Sequence, residues 1–280
     1  MTASPWTCPN CRVALTTPFC PGCGERPIGA IDLSFKGIAA QLAKTIAGVD
    51  GRVLRSVRAL LLRPGSLTLA YGEGRRKPFI GPFQLFLLAN VVFFAVQSLT
   101  HTRVFSSSLD SHLHQQDWSA LAQELVGHRL AATNTTLDRF APLFDRAVVL
   151  HAKSLVIAMA VPFTVLLPLV FFSSRRPFSI HAVFALHLYA FLLLLFCVAL
   201  GIAAMDVAFG GGGLASAAID NVLTALILVC STAYLYLASG PVYGVAGWGR
   251  IARSLGLALA VGVILVGYRF AIFVVTLYTT

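Results

Sequence analysis

Five stretches of the chain are almost entirely apolar over the length that a membrane-spanning helix requires, which is about 20 residues. They cover approximately residues 79–99, 154–172, 181–205, 219–239 and 254–278. The second stretch contains Pro162 and Pro168. Proline usually kinks a spanning helix but is tolerated where neighbouring helices satisfy the freed carbonyls. The pattern predicts an all-α membrane protein with about five transmembrane helices, which form a domain over residues 79–280.

Residues 28–78 precede the first span and show helical periodicity. Apolar residues recur at three- and four-residue steps in two segments: Phe35, Ile38, Leu42, Ile46 and Val49, then Val53, Leu54, Val57, Leu60 and Leu61. Asp50 could cap the second helix, and Pro64-Gly65 ends it. Arginines lie between its apolar positions at Arg52, Arg55, Arg58 and Arg63. Two interpretations of the segment 35–63 stay open, helices in the membrane interface or a hairpin packed on the bundle.

Residues 101–153 form the longest polar stretch between two spans. Trp118, Leu121 and Leu125 would share one helix face. A second apolar face would contain Leu137, Phe140, Phe144 and Val148. We expect two short amphipathic helices here, lying against the bundle or in the interface.

Composition agrees with a membrane location. Only 11% of the residues are charged and the mean hydropathy is +0.80, whereas a soluble domain is about 25% charged. The net charge is +10, and eleven of the 21 lysines and arginines precede residue 79. In a membrane protein such a bias indicates topology and contact with anionic lipid, which is favoured over nucleic acid as the partner.

The distribution of basic residues also predicts the orientation. With the N terminus in the cytoplasm, fifteen basic residues fall in cytoplasmic segments and five in outside segments. The positive-inside rule therefore favours a cytoplasmic N terminus, a C terminus outside and the 101–153 loop outside. The expected location is the inner membrane.

The first 27 residues contain two cysteine pairs, Cys8-Pro9-Asn10-Cys11 and Cys20-Pro21-Gly22-Cys23. Two C-x-x-C pairs joined by a short turn are typical of a four-cysteine structural zinc site. Disulfides are disfavoured in a reducing cytoplasm, and no βαβ pattern indicates a thioredoxin-like redox site. So short a segment cannot bury an adequate core, and metal binding would supply its folding energy. We predict a zinc-ribbon knuckle over residues 1–27, with Cys8, Cys11, Cys20 and Cys23 as ligands.

The chain resembles a group of uncharacterised bacterial membrane proteins that carry an N-terminal zinc ribbon and a domain of unknown function. The resemblance rests on the cysteine pairs with Phe19 and Gly24, on Asp50, Leu61-Leu62-Arg63-Pro64-Gly65, Tyr71, Gly72, Gly74-Arg75-Arg76-Lys77 and Pro82-Phe83, and on His181, Phe184 and His187. It departs from the group at Glu25, where glutamine is expected, and at Ile180, where glutamate is expected. The resemblance covers most of the chain, implies the same topology in a bacterial inner membrane, and implies no activity.

A basic cluster, Arg75-Arg76-Lys77, lies directly before the first span. Such a cluster could bind an anionic lipid head group, or it could only fix the topology. Gly72 and Gly74 beside it would let the backbone approach a phosphate closely. The two interpretations remain alternatives.

Several ionisable residues fall inside or at the ends of the spans. His181 and His187 are six residues apart, so their side chains project about 120° apart and would not share one metal. Arg269 lies in the fifth span, and Asp206 and Asp220 lie near the outer ends of the third and fourth. A buried arginine is costly, which predicts an ion pair with Asp220 or Asp206. Each residue could also be functional, because ionisable groups in spans often mark substrate pathways.

The outside loop contributes His101, His112, His114 and His128, a weak candidate for metal binding. No catalytic constellation is evident. Three function classes remain: a membrane-anchored interaction or scaffold protein that engages a cytoplasmic partner or anionic lipid, a transporter or channel component, and a membrane enzyme that acts on lipid. The first is favoured because the specific motifs lie before the first span and resemble binding sites.

Overall fold

The computed structural model describes residues 6–24, 51–100, 102 and 104–280. The helix predicted at 35–49 and the cap at Asp50 lie outside these ranges. The described elements in chain order are β1 Trp6–Thr7, β2 Ala14–Leu15, α1 Gly51–Leu62, α2 Ser66–Gly72, α3 Pro82–Leu99, α4 Leu109–His114, α5 Ser119–Thr133, α6 Leu137–Leu155, α7 Ala160–Val170, α8 Phe178–Ala208, α9 Ala217–Tyr243 and α10 Gly247–Thr279.

Within the described residues, five helices are long and apolar enough to cross a membrane. They are α3, the pair α6–α7, α8, α9 and α10. The two strands are only two residues each and pair antiparallel, with Trp6 opposite Leu15. This confirms the predicted class, an all-α multi-pass membrane architecture with a small cysteine-rich N-terminal unit.

The second span is longer than the sequence predicted. It runs over Leu137–Val170 as α6, a 3₁₀ turn at Val156–Met159 and α7, whereas hydropathy indicated 154–172. At 1.5 Å per residue, 34 residues extend about 51 Å, well beyond a hydrocarbon core of about 30 Å. The span is therefore long enough for the first half of α6 to project past a bilayer. Its face of Phe140, Phe144, Val148 and Ala152 is buried, as the apolar periodicity indicated.

The bundle packs around α8, which contacts α3, α7 and α9. Half of the residues in its most apolar 18-residue stretch are buried, which is the largest share among these spans. Fully buried aromatic rings from three other helices, Phe93, Phe163 and Phe273, belong to the same core as Phe184 of α8. A helix apolar all round and surrounded by others is the expected centre of a membrane bundle.

The two helices before the first span pack on one end of the bundle, which we call the knuckle face. In α1, Ser56 and Leu60 are buried, and Ser56 Oγ accepts a hydrogen bond from the Ile80 amide at 3.0 Å. Leu54 and Leu62 of the same helix are 70% and 68% exposed. Helix α1 thus packs on the bundle through one side and exposes apolar side chains on the other.

The opposite end, which we call the cap face, is covered by α4 and α5. These helices lie against α6 and α10, and the His112 and Phe273 rings are tilted by 32° with 4.7 Å between their centroids. The second amphipathic helix predicted in the 101–153 loop is the beginning of α6 and continues directly into the span. The cap therefore contains short helices and the projecting end of a long one.

Candidate functional site

The cysteine pairs lie in two similar turns of a small hairpin. The amide of Cys8 donates to the carbonyl of Val13, and the amide of Arg12 donates to that of Cys8. In the second turn the amide of Gly24 donates to the carbonyl of Cys20. Arg12 and Gly24 each follow the second cysteine of a pair, and both have positive φ, 60° and 68°. The two turns therefore bend alike and direct four sulfurs to one point.

The sulfur positions fit one tetrahedral ion. Sγ–Sγ distances are 3.5 Å for Cys8–Cys23, 3.3 Å for Cys11–Cys20 and 3.8 Å for Cys11–Cys23, and all four atoms lie within 4.8 Å of one another. Metal–sulfur bonds of about 2.3 Å in a tetrahedron place sulfurs about 3.8 Å apart. The four cysteines are thus positioned to hold a metal ion. Hydrogen bonds with Cys20 and Cys8 raise the pKa of Cys11 to about 12, because clustered thiols retain protons unless a cation replaces them.

The cysteine hairpin, residues 6–24, contacts the turn before the first span. A Cβ placed on Gly74 would lie 3.1 Å from Cγ of Pro9, and one placed on Gly24 would lie 3.0 Å from Nζ of Lys77. Gly74 has φ of +80°, a conformation that glycine adopts without strain. The proline of the first cysteine pair and the glycine after the second thus both face this turn.

The three cations of the predicted basic cluster have separate local contacts. Arg75 pairs with Glu73, and the guanidinium of Arg76 lies 4.3 Å from the centre of the Tyr71 ring. Lys77 adjoins Gly24 of the hairpin. We refer to residues 72–78 as the basic turn.

The two histidines of α8 bond to different helices. Nδ1 of His187 lies 2.9 Å from Oγ1 of Thr68, which α2 inserts into the bundle. Nδ1 of His181 lies 3.0 Å from the hydroxyl of Tyr243 on α9, and the two rings stack. All these side chains except Tyr243 are 2–3% exposed. The histidines therefore tie α8 to α2 and α9 through separate hydrogen bonds.

A cavity of about 120 Å³ opens beside these histidines on the knuckle face. Its lining comprises Thr68, Leu69, Gly72, Glu73, Arg176, Ile180 and Val242. Nε of Arg176 donates to the Val242 carbonyl at 2.9 Å, which holds the guanidinium at the cavity. In the sequence, Arg176 was only one of the fifteen basic residues that indicated the topology. The available signal was the Arg175-Arg176 pair beside His181, but nothing in the sequence placed it near α2.

Arg269 bonds to a hydroxyl. Its Nη2 donates to Oγ of Ser107 at 3.0 Å, and Asp117 and then Asp220 act on it at longer range. Asp206 instead accepts a hydrogen bond from the Gly213 amide at 2.9 Å and closes the turn after α8. Among the described residues the expected ion pair with Asp220 or Asp206 is absent, because the chain before α4 folds back over Arg269.

The outer histidines are dispersed. His112 is buried and accepts a hydrogen bond from Nε1 of Trp118 at 3.3 Å, whereas His114 is exposed and pairs with Asp110. His128 lies 3.9 Å from Glu124, and His101 lies outside the described residues. Over the part of the chain that the structure describes, only the four cysteines form a cluster of three or more potential metal ligands.

Comparison with protein families gives a match to part of the chain. A family model described as "Protein of unknown function (DUF3667)" matches residues 50–94, which include α1, α2, the basic turn and most of α3. The matched segment is the one that packs on the knuckle face and contacts the cysteine hairpin. No curated protein and no solved structure matches the chain.

Proposed function

We propose that this protein is a membrane-anchored scaffold that holds a zinc-bound knuckle at the cytoplasmic surface of a bacterial inner membrane for a cytoplasmic partner. One observation carries the proposal: the cysteine hairpin contacts the basic turn through Pro9–Gly74 and Gly24–Lys77. A unit fastened in this way to the first span has a fixed position relative to the bilayer. Fixed display of a small recognition unit is what a scaffold requires.

Zinc is the favoured metal on ligand chemistry. Four thiolates in a tetrahedral arrangement are typical of closed structural zinc sites, in which no position remains open for catalysis. The hairpin has two-residue strands and little apolar burial, so metal binding would supply most of its folding energy. The metal would therefore act through structure, by keeping the hairpin folded.

The outer surface of the hairpin offers contacts to a protein. Val13 and Phe19 are 51% and 58% exposed, although they are among the few large apolar side chains of this unit. Exposed aromatic and aliphatic side chains on a rigid support are common anchors in protein interfaces. We propose that these two residues contact the partner.

Anionic lipid would stabilise the position of α1 and the cysteine hairpin at the membrane surface. The outward side of α1 carries Leu54 and Leu62 with Arg55, Arg58 and Arg63 between or beside them, a pattern suited to the interface of a negatively charged leaflet. The positive-inside rule places this side in the cytoplasm. The transporter alternative has less support, because the intramembrane polar groups pair locally at opposite ends of the bundle.

Site-specific photocrosslinking in cells tests the proposal. A photoreactive amino acid at Phe19 should give a defined adduct that also forms from Val13, and Cys8→Ser should abolish both adducts while membrane levels stay unchanged. The same probe at Phe209, an exposed residue on the cap face, is the matched control. An adduct that persists in Cys8→Ser, or no adduct from either knuckle position, would overturn the scaffold proposal.

A further inference from the structure

The cavity beside Arg176 combines a fixed cation with polar and apolar wall residues. Helix α2 contributes Thr68, Leu69 and Gly72, and the opposite wall comes from Ile180 of α8 and Val242 of α9. Its volume of about 120 Å³ far exceeds the roughly 10–15 Å³ that one water molecule requires. The cavity can therefore hold a polar group of several heavy atoms.

The charge at this cavity favours an anion. Glu73 pairs with Arg75, so its negative charge is already compensated. Arg176 donates through Nε to a backbone carbonyl, and within the described ranges no carboxylate forms an ion pair with it. A guanidinium has five N–H donors, so the Nη groups of Arg176 retain donor capacity after this bond. Arginine held in one orientation is well suited to phosphate oxygens.

The surroundings point to a lipid as the source of that anion. Arg175 and Arg176 lie between Phe172 and Phe178, which are 77% and 60% exposed. Phe172 lies just after α7 and Phe178 begins α8, so both rings are at the ends of spanning helices, where the head groups of a bilayer would meet its acyl chains. A phosphate at Arg176 would thus have apolar surface beside it for the glycerol and acyl portions.

We propose that this cavity binds the phosphate of a glycerophospholipid from the leaflet at the knuckle face, with Arg176 as the principal cation. The site deepens the proposed scaffold function, on which it rests, because a bound lipid would join α2, α8 and α9 beneath the cysteine hairpin. The hydrogen bond from Thr68, which lines the cavity, to His187 holds α2 against α8.

A pair of adjacent arginines provides the test. The purified, delipidated full-length protein is titrated with phosphatidylglycerol and bound lipid is counted by native mass spectrometry. Arg176→Gln should weaken binding about tenfold or more, the loss expected for a charge-assisted contact. Arg175→Gln makes the same charge change at an exposed position outside the cavity and should alter binding less than twofold.

Leu69→Phe separates shape from charge, because it fills the cavity and leaves every charge in place. It should also weaken binding, with an unchanged gel-filtration profile and helical content as evidence of folding. Equal weakening by Arg175→Gln and Arg176→Gln, or unchanged binding in Leu69→Phe, would overturn the site. A response to inorganic phosphate alone, with none to phosphatidylglycerol, would overturn the lipid assignment.

The two proposals fail separately. Cys8→Ser should abolish the crosslinks at Phe19 and leave the difference between Arg175→Gln and Arg176→Gln intact, because the cavity lining contains no hairpin residue. If Arg175→Gln and Arg176→Gln weaken phosphatidylglycerol binding equally in the otherwise wild-type protein, the lipid site is ruled out. The crosslinking result is not affected by that outcome.

Discussion

At the scale of single residues, the polar side chains of the bundle bond across helices that are distant in sequence. Thr68 and His187 are 119 positions apart, and Ser107 and Arg269 are 162 apart. Periodicity identifies such residues as unusual in an apolar helix but contains no information about their partners. For Arg269, general electrostatics indicated a carboxylate, yet the structure supplies a serine hydroxyl because the segment before α4 covers the end of α10.

The Thr68–His187 bond should be measurable as a coupling energy. Removing either partner leaves a buried polar group unpaired, at a cost of roughly 1–3 kcal/mol. The double change Thr68→Val with His187→Leu should therefore cost less than the sum of the single changes, by about 1 kcal/mol or more. Denaturation in detergent of the four proteins measures this, and additive losses would show that the two groups do not interact.

His112 should make the cap sensitive to acid. Burial, and then the nearby charge of Arg269, lower the pKa of His112 from 6.5 to about 4. The folded state thus favours the neutral imidazole of His112. The stabilisation that this residue gives the folded state is therefore fully present above about pH 6.5 and is lost as the pH falls toward 4. The loss is of order 3 kcal/mol or less.

Thermal unfolding at pH 7.5 and pH 4.5 tests this prediction. His112→Gln should reduce the difference in melting temperature between the two pH values, since neutral glutamine does not titrate. His114→Gln changes an exposed histidine two residues away and should leave the difference as in the wild type. If the two variants show the same difference in melting temperature between the two pH values, the acid sensitivity does not come from His112.

At the scale of elements, sequence patterns predicted the features that depend on interactions between residues close together in the chain. The spacing of Cys8, Cys11, Cys20 and Cys23 was sufficient to predict a metal site, because short turns bring those sulfurs together. Apolar length was sufficient to find five spans. The start of the second span was missed because Asp138, Arg139, Asp145, Arg146 and Lys153 lower its hydropathy, although the helix continues through them on the cap face.

Helix α2 shows a further limit of sequence patterns. Pro64-Gly65 correctly predicted the end of α1, but a seven-residue helix after it has too little periodicity to be recognised. Its position depends on contact with α8 and α9. Gly65 permits that contact, because its φ is +84° and a Cβ there would lie 2.9 Å from the carbonyl oxygen of Ala238.

Gly65→Ala should consequently destabilise the protein by roughly 2 kcal/mol or more, from a strained φ together with a backbone clash. Gly127→Ala is the matched control, because Gly127 lies within α5 and a Cβ there meets nothing within 4 Å. Alanine is the better helix former, so this change should be neutral or stabilising by up to about 1 kcal/mol. Equal effects in chemical denaturation would contradict the close packing of α2.

At the scale of the whole molecule, the two ends of the bundle differ in character. The knuckle face brings together the cysteine hairpin, the basic turn and the Arg176 cavity. The cap face has a buried histidine, an arginine bonded to a serine and short helices over α6 and α10. The proposed scaffold function rests on this asymmetry, because the four-cysteine unit and most of the described basic side chains lie at one end of the bundle.

The most direct measurement is cysteine labelling with a membrane-impermeant maleimide in a variant that lacks Cys197 and Cys230. We expect no labelling in sealed spheroplasts, little after permeabilisation, and full labelling of the four knuckle cysteines only when a chelator is added to permeabilised cells. Permeabilisation exposes the cytoplasmic side, and the chelator removes the metal that protects the thiolates. Labelling in sealed spheroplasts would contradict the cytoplasmic knuckle, and full labelling of permeabilised cells without chelator would contradict the bound metal.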